Sequence, residues 1–147
     1  MEVVGRENYS LDVEELHISI RVDEKKDIPA HIALALEKNG IIDIPLVEEV
    51  TLKKMIMEEK RGPLPNKLPV DFFEMVKFSM EKGGTDDKKR AIRVLAGNLV
   101  KERVEKIFKL SVQGKTPKVD LLPEEKSLLI RASSMLTEYE SEILGEK

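Results

Sequence analysis

The chain has 147 residues, no cysteine, no tryptophan and two histidines, and its 25 Lys+Arg against 28 Asp+Glu give a formal net charge of -3. The missing cysteines exclude a disulfide framework, a thiol nucleophile and a cysteine-based zinc or iron–sulfur site. The near-neutral charge supplies no global field toward nucleic acid, and the two Tyr and four Phe offer little surface for stacked bases.

In chain order, Val3-Val4 suggests a short first strand. Glu15 to Val22 then alternates with period two, Leu16, Ile18, Ile20 and Val22 on one face and Glu15, His17, Ser19 and Arg21 on the other, which predicts a half-buried strand. Asp23 to Asp27 reads as a charged turn. Asp27-Ile28-Pro29 opens a helix of about ten residues with Asp27 as its cap, closed by Asn39-Gly40. Ile41, Ile42 and Ile44 make a short strand ended by Pro45. Thr51 caps a further helix with Leu52, Met55 and Ile56 on its apolar stripe and a solvated Glu58-Glu59-Lys60-Arg61 end.

Pro63, Pro65 and Pro69 stiffen the next segment and mark the domain boundary. Beyond it the pattern is helical. Val70 to Lys82 carries Phe72, Phe73, Val76 and Met80 and stops at Gly83-Gly84. Thr85 or Asp86 opens a long helix that Gly114 ends, with Ile92, Leu95, Leu99, Ile107 and Leu110 drifting around its axis and Val104 and Phe108 on a second flank. Some 28 residues of helix measure about 40 Å, more than one small domain covers, so part of this surface is expected to meet another chain. After a loop at Thr116-Pro117 containing Val119, Leu121 and Leu122, Pro123 and Glu124-Glu125 open a last helix whose apolar face runs through Leu128, Leu129, Ala132, Met135, Leu136, Tyr139 and Ile143. The expected class is α+β, mainly α: a small mixed domain over residues 1–62, a proline linker over 63–69 and a helical domain over 70–147. The longest run free of charge, Ile28 to Leu36, is far shorter than the roughly 18–20 residues that span a bilayer, and the start lacks the basic and apolar regions of a signal peptide, so a soluble, cytoplasmic protein is expected.

Catalytic chemistry finds little support. His17 and His31 fall in different elements, without a second ligand at metal spacing. The acidic pairs Glu14-Glu15, Glu48-Glu49, Glu58-Glu59, Asp86-Asp87 and Glu124-Glu125 all lie at helix ends or turns, where solvation or the helix dipole accounts for them. Lys88-Lys89-Arg90 with Arg93 reads as a solvated helix face, and Lys101, Glu102, Arg103, Glu105 and Lys106 as interlaced i, i+4 charges. No enzyme, cofactor or metal site is expected. Phe72-Phe73 is more informative: neighbours in a helix point about 100° apart, so either the pair flanks a broad buried face or one of the two leaves the core and anchors a partner. The dominance of Lys and Glu, with Gln113 as the single glutamine, matches the compositional bias of heat-adapted proteins.

Leu68-Pro69-Val70-Asp71-Phe72-Phe73 opening a helix, then Leu99 to Ile107 with Arg103-Val104-Glu105-Lys106-Ile107 on a long one, then Leu121-Leu122-Pro123-Glu124-Glu125 opening the last, resembles a subunit of the GINS replication complex. Ser10-Leu11-Asp12 and the stretch Ile28 to Leu36 resemble the small domain of the subunits that carry it first, although the tryptophan that follows a Pro-Leu pair in eukaryotic relatives is missing here. The small-domain-first order resembles the archaeal class that pairs with a helical-domain-first subunit. The resemblance implies a non-catalytic scaffold at the replication fork, in a 2:2 tetramer with that second subunit, linking the MCM helicase with a RecJ-like protein and able to contact polymerase or primase. It also implies little direct DNA binding and no membrane. The expected subunit interface comprises Phe72, Phe73, Met75, Leu99, Arg103, Ile107, Phe108, Met135, Leu136 and Tyr139. The alternative is a helical DNA-binding transcriptional regulator whose small N-terminal domain dimerises or binds a ligand, with Gly83-Gly84 as the turn between its helices.

Overall fold

The computed structural model describes residues 1–13, 15–114 and 120–145. Along them run β1 (Glu2–Gly5), β2 (Tyr9–Val13), β3 (Leu16–Ile20), β4 (Lys25–Asp27), α1 (Ala30–Lys38), β5 (Ile42–Asp43), α2 (Glu49–Glu59), α3 (Phe72–Lys82), α4 (Asp86–Gln113) and α5 (Pro123–Leu144). The fold is α+β and mainly α, with small sheets at the start and helices after them. Two compact units divide it, Met1–Val47 with Asp71–Gly83, and Glu48–Val70 with Gly84–Lys147.

In the first unit β1 is the central strand of an antiparallel sheet ordered β4-β1-β5, with Val3 opposite Lys26 and Val4 opposite both Lys25 and Asp43. A separate β2-β3 hairpin pairs Leu11 with Ile18 and Tyr9 with Ile20. β4 corrects the expected turn over Asp23 to Asp27: three charged residues have no strand propensity of their own, and pairing with β1 imposes it. The reversal before it is made by Asp23, at φ 62, whose N–H donates to the Gly5 carbonyl at 2.8 Å. Only glycine fits at position 5, because a Cβ there would lie 2.1 Å from the Arg21 carbonyl oxygen. Of the alternating apolar set, Ile18 and Ile20 of β3 are buried, whereas Leu16 at its start and Val22 just beyond it are exposed. With Asp27 in β4, α1 starts behind Pro29 and lays Ile32, Ala33 and Leu36 into the core.

That core gathers Met1, Val3, Ile18, Ile20, Ile28, the α1 residues and Ile41, Ile42 and Ile44, and it is completed by Phe78 of α3, with Met75 packed beside it. Ser79 reinforces the attachment of α3: its hydroxyl donates to the Met75 carbonyl and accepts from the Val47 N–H, both at 2.8 Å. The α-amino group of Met1 donates to Asp27, at 2.6 Å, and to Asp71. Burial alone would lower its pKa, but these two hydrogen bonds and carboxylate charges hold it above its ordinary value.

The second unit is helical. Leu52 and Ile56 of α2 are buried, and α2 packs chiefly on α4, which packs in turn on α5. Thr85 caps α4, its hydroxyl accepting from the Lys88 N–H at 3.3 Å, and Gly114 ends it in the left-handed region at φ 65. Thr116-Pro117, Val119 and Glu14 lie outside the described residues.

The expected division at 1–62, 63–69 and 70–147 does not follow these units. The helix expected in the small domain, α2, belongs with α4, and the helix expected to open the helical domain, α3, belongs with the strands. Both are short amphipathic helices, and an apolar stripe does not say which core it enters. Phe78→Ala should therefore cost about 3–5 kcal/mol in the strand-bearing unit. Hydrogen exchange is expected to show the protection lost in β1 and α1 while the middle of α4 keeps its own.

Candidate functional site

Arg103 lies on α4 in the apolar stripe that continues through Leu99, Ile107 and Leu110, and it is 1% exposed. A guanidinium there requires partners, since an unpaired buried charge is not tolerated. Glu125, in the first turn of α5, supplies a two-point contact: Arg103 Nε donates to Oε2 at 2.6 Å and Nη2 to Oε1 at 2.7 Å. The same Oε1 accepts the Leu122 N–H at 3.0 Å, so Glu125 also fixes the start of its own helix. Nη1 of Arg103 donates to Glu59 Oε2 at 3.1 Å and to the Asn66 carbonyl at 2.6 Å.

Glu59, the last residue of α2 and likewise 1% exposed, is shared. Its Oε1 accepts from Lys106 Nζ at 2.9 Å and from the Asn66 N–H at 3.1 Å. Lys106 is buried too; its ammonium also donates to the Glu59 carbonyl and, at 3.2 Å, to that of Leu64. A cation at the carbonyl end of α2 is where the helix dipole favours one. Two cations thus meet two carboxylates in the interior, and they join α2, the proline segment, α4 and α5. Burial disfavours the charge on Arg103, but the hydrogen bonds and charges of Glu125 and then Glu59 outweigh it and raise the pKa above the ordinary arginine value. As far as the arginine's own proton is concerned, its contribution is in place below that ordinary value and is lost only as pH rises above it.

Past this network α4 and α5 continue side by side in the same sense, and the cleft between them stays open. Phe108, Ser111 and Val112 of α4 and Ala132, Met135, Leu136 and Tyr139 of α5 line a groove of ≈ 440 Å³. Phe108, Met135 and Tyr139 are 46%, 69% and 61% exposed, whereas single exposed apolar residues on a surface would call for no explanation.

The expected interface residues separate into groups. Phe108, Met135, Leu136 and Tyr139 come together in this groove. Leu99, Arg103 and Ile107 do not join them: they are interior, so their helical spacing marks the unit's own core. Phe72 is buried within the chain and meets half-buried Phe73 edge to face, ring centroids 5.6 Å apart, while Met75 packs on the strand-bearing core. Four side chains read as solvated or dipole-complementing charges are corrected in the same way. Glu59, Arg103, Lys106 and Glu125 form the buried network, not exposed helix-end or i, i+4 charges. The signal that would have found two of them is their spacing: Leu99, Arg103, Lys106 and Leu110 fall on one side of a helix.

His17 is exposed and pairs with Asp12 across the hairpin, and His31 is exposed at the start of α1. Among the described residues no group of three or more His, Cys, Asp or Glu side chains is placed to hold a metal, and no helix is long and apolar enough to cross a membrane. Compared with known proteins, the chain matches no family model and no curated protein.

Removing one member of a buried ion pair strands the other, so Arg103→Met or Glu125→Leu alone should cost about 3–5 kcal/mol in urea unfolding of the helical unit. Arg103→Lys should recover only part of this loss, because an ammonium lacks the planar fork that matches the carboxylate of Glu125.

Proposed function

We propose that the chain is a non-catalytic scaffold subunit of the GINS complex, linking the MCM helicase with a RecJ-like partner at the replication fork. The observation that carries the reading is the open apolar groove of Phe108, Val112, Met135, Leu136 and Tyr139 on a helical unit locked from inside by charge. A scaffold needs rigid placement of a sticky face, and the network and the groove are those two parts. The motifs Leu68 to Phe73, Leu99 to Ile107 and Leu121 to Glu125 supply the family resemblance. In this reading the groove receives the helical-domain-first subunit of a 2:2 tetramer, whose obligate interfaces would bury upwards of about 2,000 Å². The replication-fork location and the contacts to polymerase or primase belong to the same proposal.

The test is co-expression with a helical-domain-first GINS subunit, followed by light scattering. A 2:2 mass is expected, and a monomer that recruits no second subunit would contradict the reading. Tyr139→Glu and Met135→Glu should each weaken assembly by about 30-fold or more, the effect of losing an anchor worth about 2 kcal/mol. Both residues are exposed in the free chain, so the helical circular dichroism and the melting temperature should stay unchanged. Joint loss of fold and assembly would make these residues ordinary core.

A further inference from the structure

Inside the helical unit, α2 buries Leu52, Ile56 and Glu59 and turns a second pattern outward. Val50 and Met57, about two helical turns apart on that side, are 75% and 61% exposed. Around them stand Lys53, Lys54 and Arg61, and together with Glu58 these residues line a shallow groove of ≈ 370 Å³ with three cations to one carboxylate. Among the described residues no acidic side chain lies within ion-pair distance of Lys53, Lys54 or Arg61, although the chain as a whole carries a net charge of -3. Lys60, by contrast, reaches Glu102 at 3.9 Å. Lys53 also borders a neighbouring shallow groove, in which α4 presents exposed Val94 beside Arg90.

Val50 and Met57 bracket Lys53 and Lys54 and line the same groove as these cations, so apolar and basic surface share one face. A phosphate backbone would answer the cations and leave Val50 and Met57 with nothing to meet. A lipid surface requires a broader apolar face than two residues on an eleven-residue helix whose other side is already in the core. A helix whose apolar stripe is flanked by carboxylates answers both parts, with anchors at two-turn spacing and complementary charge beside them. We infer that the outer face of α2 docks an acidic amphipathic helix of a partner protein, its apolar side chains against Val50 and Met57 and its carboxylates against Lys53, Lys54 and Arg61. This surface shares no residue with the groove between α4 and α5 and stands whether or not that groove assembles subunits.

The test uses the full chain and a fluorescein-labelled helical peptide with leucines at the Val50–Met57 spacing and glutamates on both flanks, read by anisotropy. Saturable binding is expected, weakened about tenfold or more by the double substitution K53E/K54E, by Met57→Ser and by high salt. A peptide with lysine in place of each glutamate should not bind. All three substituted positions are exposed, so the variants are expected to keep the parent's circular dichroism. Failure of the acidic peptide to bind, or binding unchanged in K53E/K54E, would overturn the proposal. So would tighter binding of duplex DNA or of phosphatidylserine vesicles that these substitutions abolish, since the face would then serve phosphate. Normal 2:2 assembly by K53E/K54E would show that the two surfaces act separately.

Discussion

The guanidinium of Arg103 is the point on which the helical unit depends. It sits where a leucine would ordinarily continue the stripe of α4, and its fixed donor geometry is met from two directions, by Glu125 of α5 and by Glu59 at the end of α2. Taking such charges out of water is expensive, and an apolar cluster of equal volume could match their stability. What the ions add is direction. Leucines would accept many arrangements of three helices, whereas a planar fork and a shared carboxylate accept few.

The proline segment follows from the same constraint. Three prolines make it stiff, but stiffness does not decide where it lies. Asn66 donates its N–H to Glu59 and offers its carbonyl to Arg103, and Leu64 offers its carbonyl to Lys106. The segment is therefore part of the helical unit and not a free tether. Beyond the network the second half of α4 meets α5, and the apolar side chains lining the groove between them are open. A closed half fixes the geometry, and an open half leaves its apolar side chains uncovered.

Local chemistry made much of the secondary structure legible. Thr85 and Gly114 bound α4, Pro123 starts α5, and Asn39-Gly40 follows α1, each through a terminus rule that needs no tertiary information. The hairpin strand at Tyr9 and the strand at Lys25 were not legible, because pairing and not propensity creates them. The site was legible in half. Helical spacing picked out Leu99, Ile107, Phe108, Met135 and Tyr139 as one kind of residue, yet it cannot say whether such a face is covered by the same chain or another. Burial divides them, Leu99 and Ile107 inside and the rest on the groove. Glu59, Arg103 and Lys106 were hidden by their own charge, since an ionic residue is taken for a surface one until its partner, 22 to 47 positions away, is known.

The most direct test of this account is a double-mutant cycle on Arg103 and Glu125, with Arg103→Met, Glu125→Leu and the pair followed by urea unfolding. Residues in one buried network couple, so the double variant should be more stable than the sum of the single losses predicts, by about 2 kcal/mol or more. Simple additivity, with a coupling below about 0.5 kcal/mol, would mean that the two charges act independently and that the helical unit does not depend on their contact.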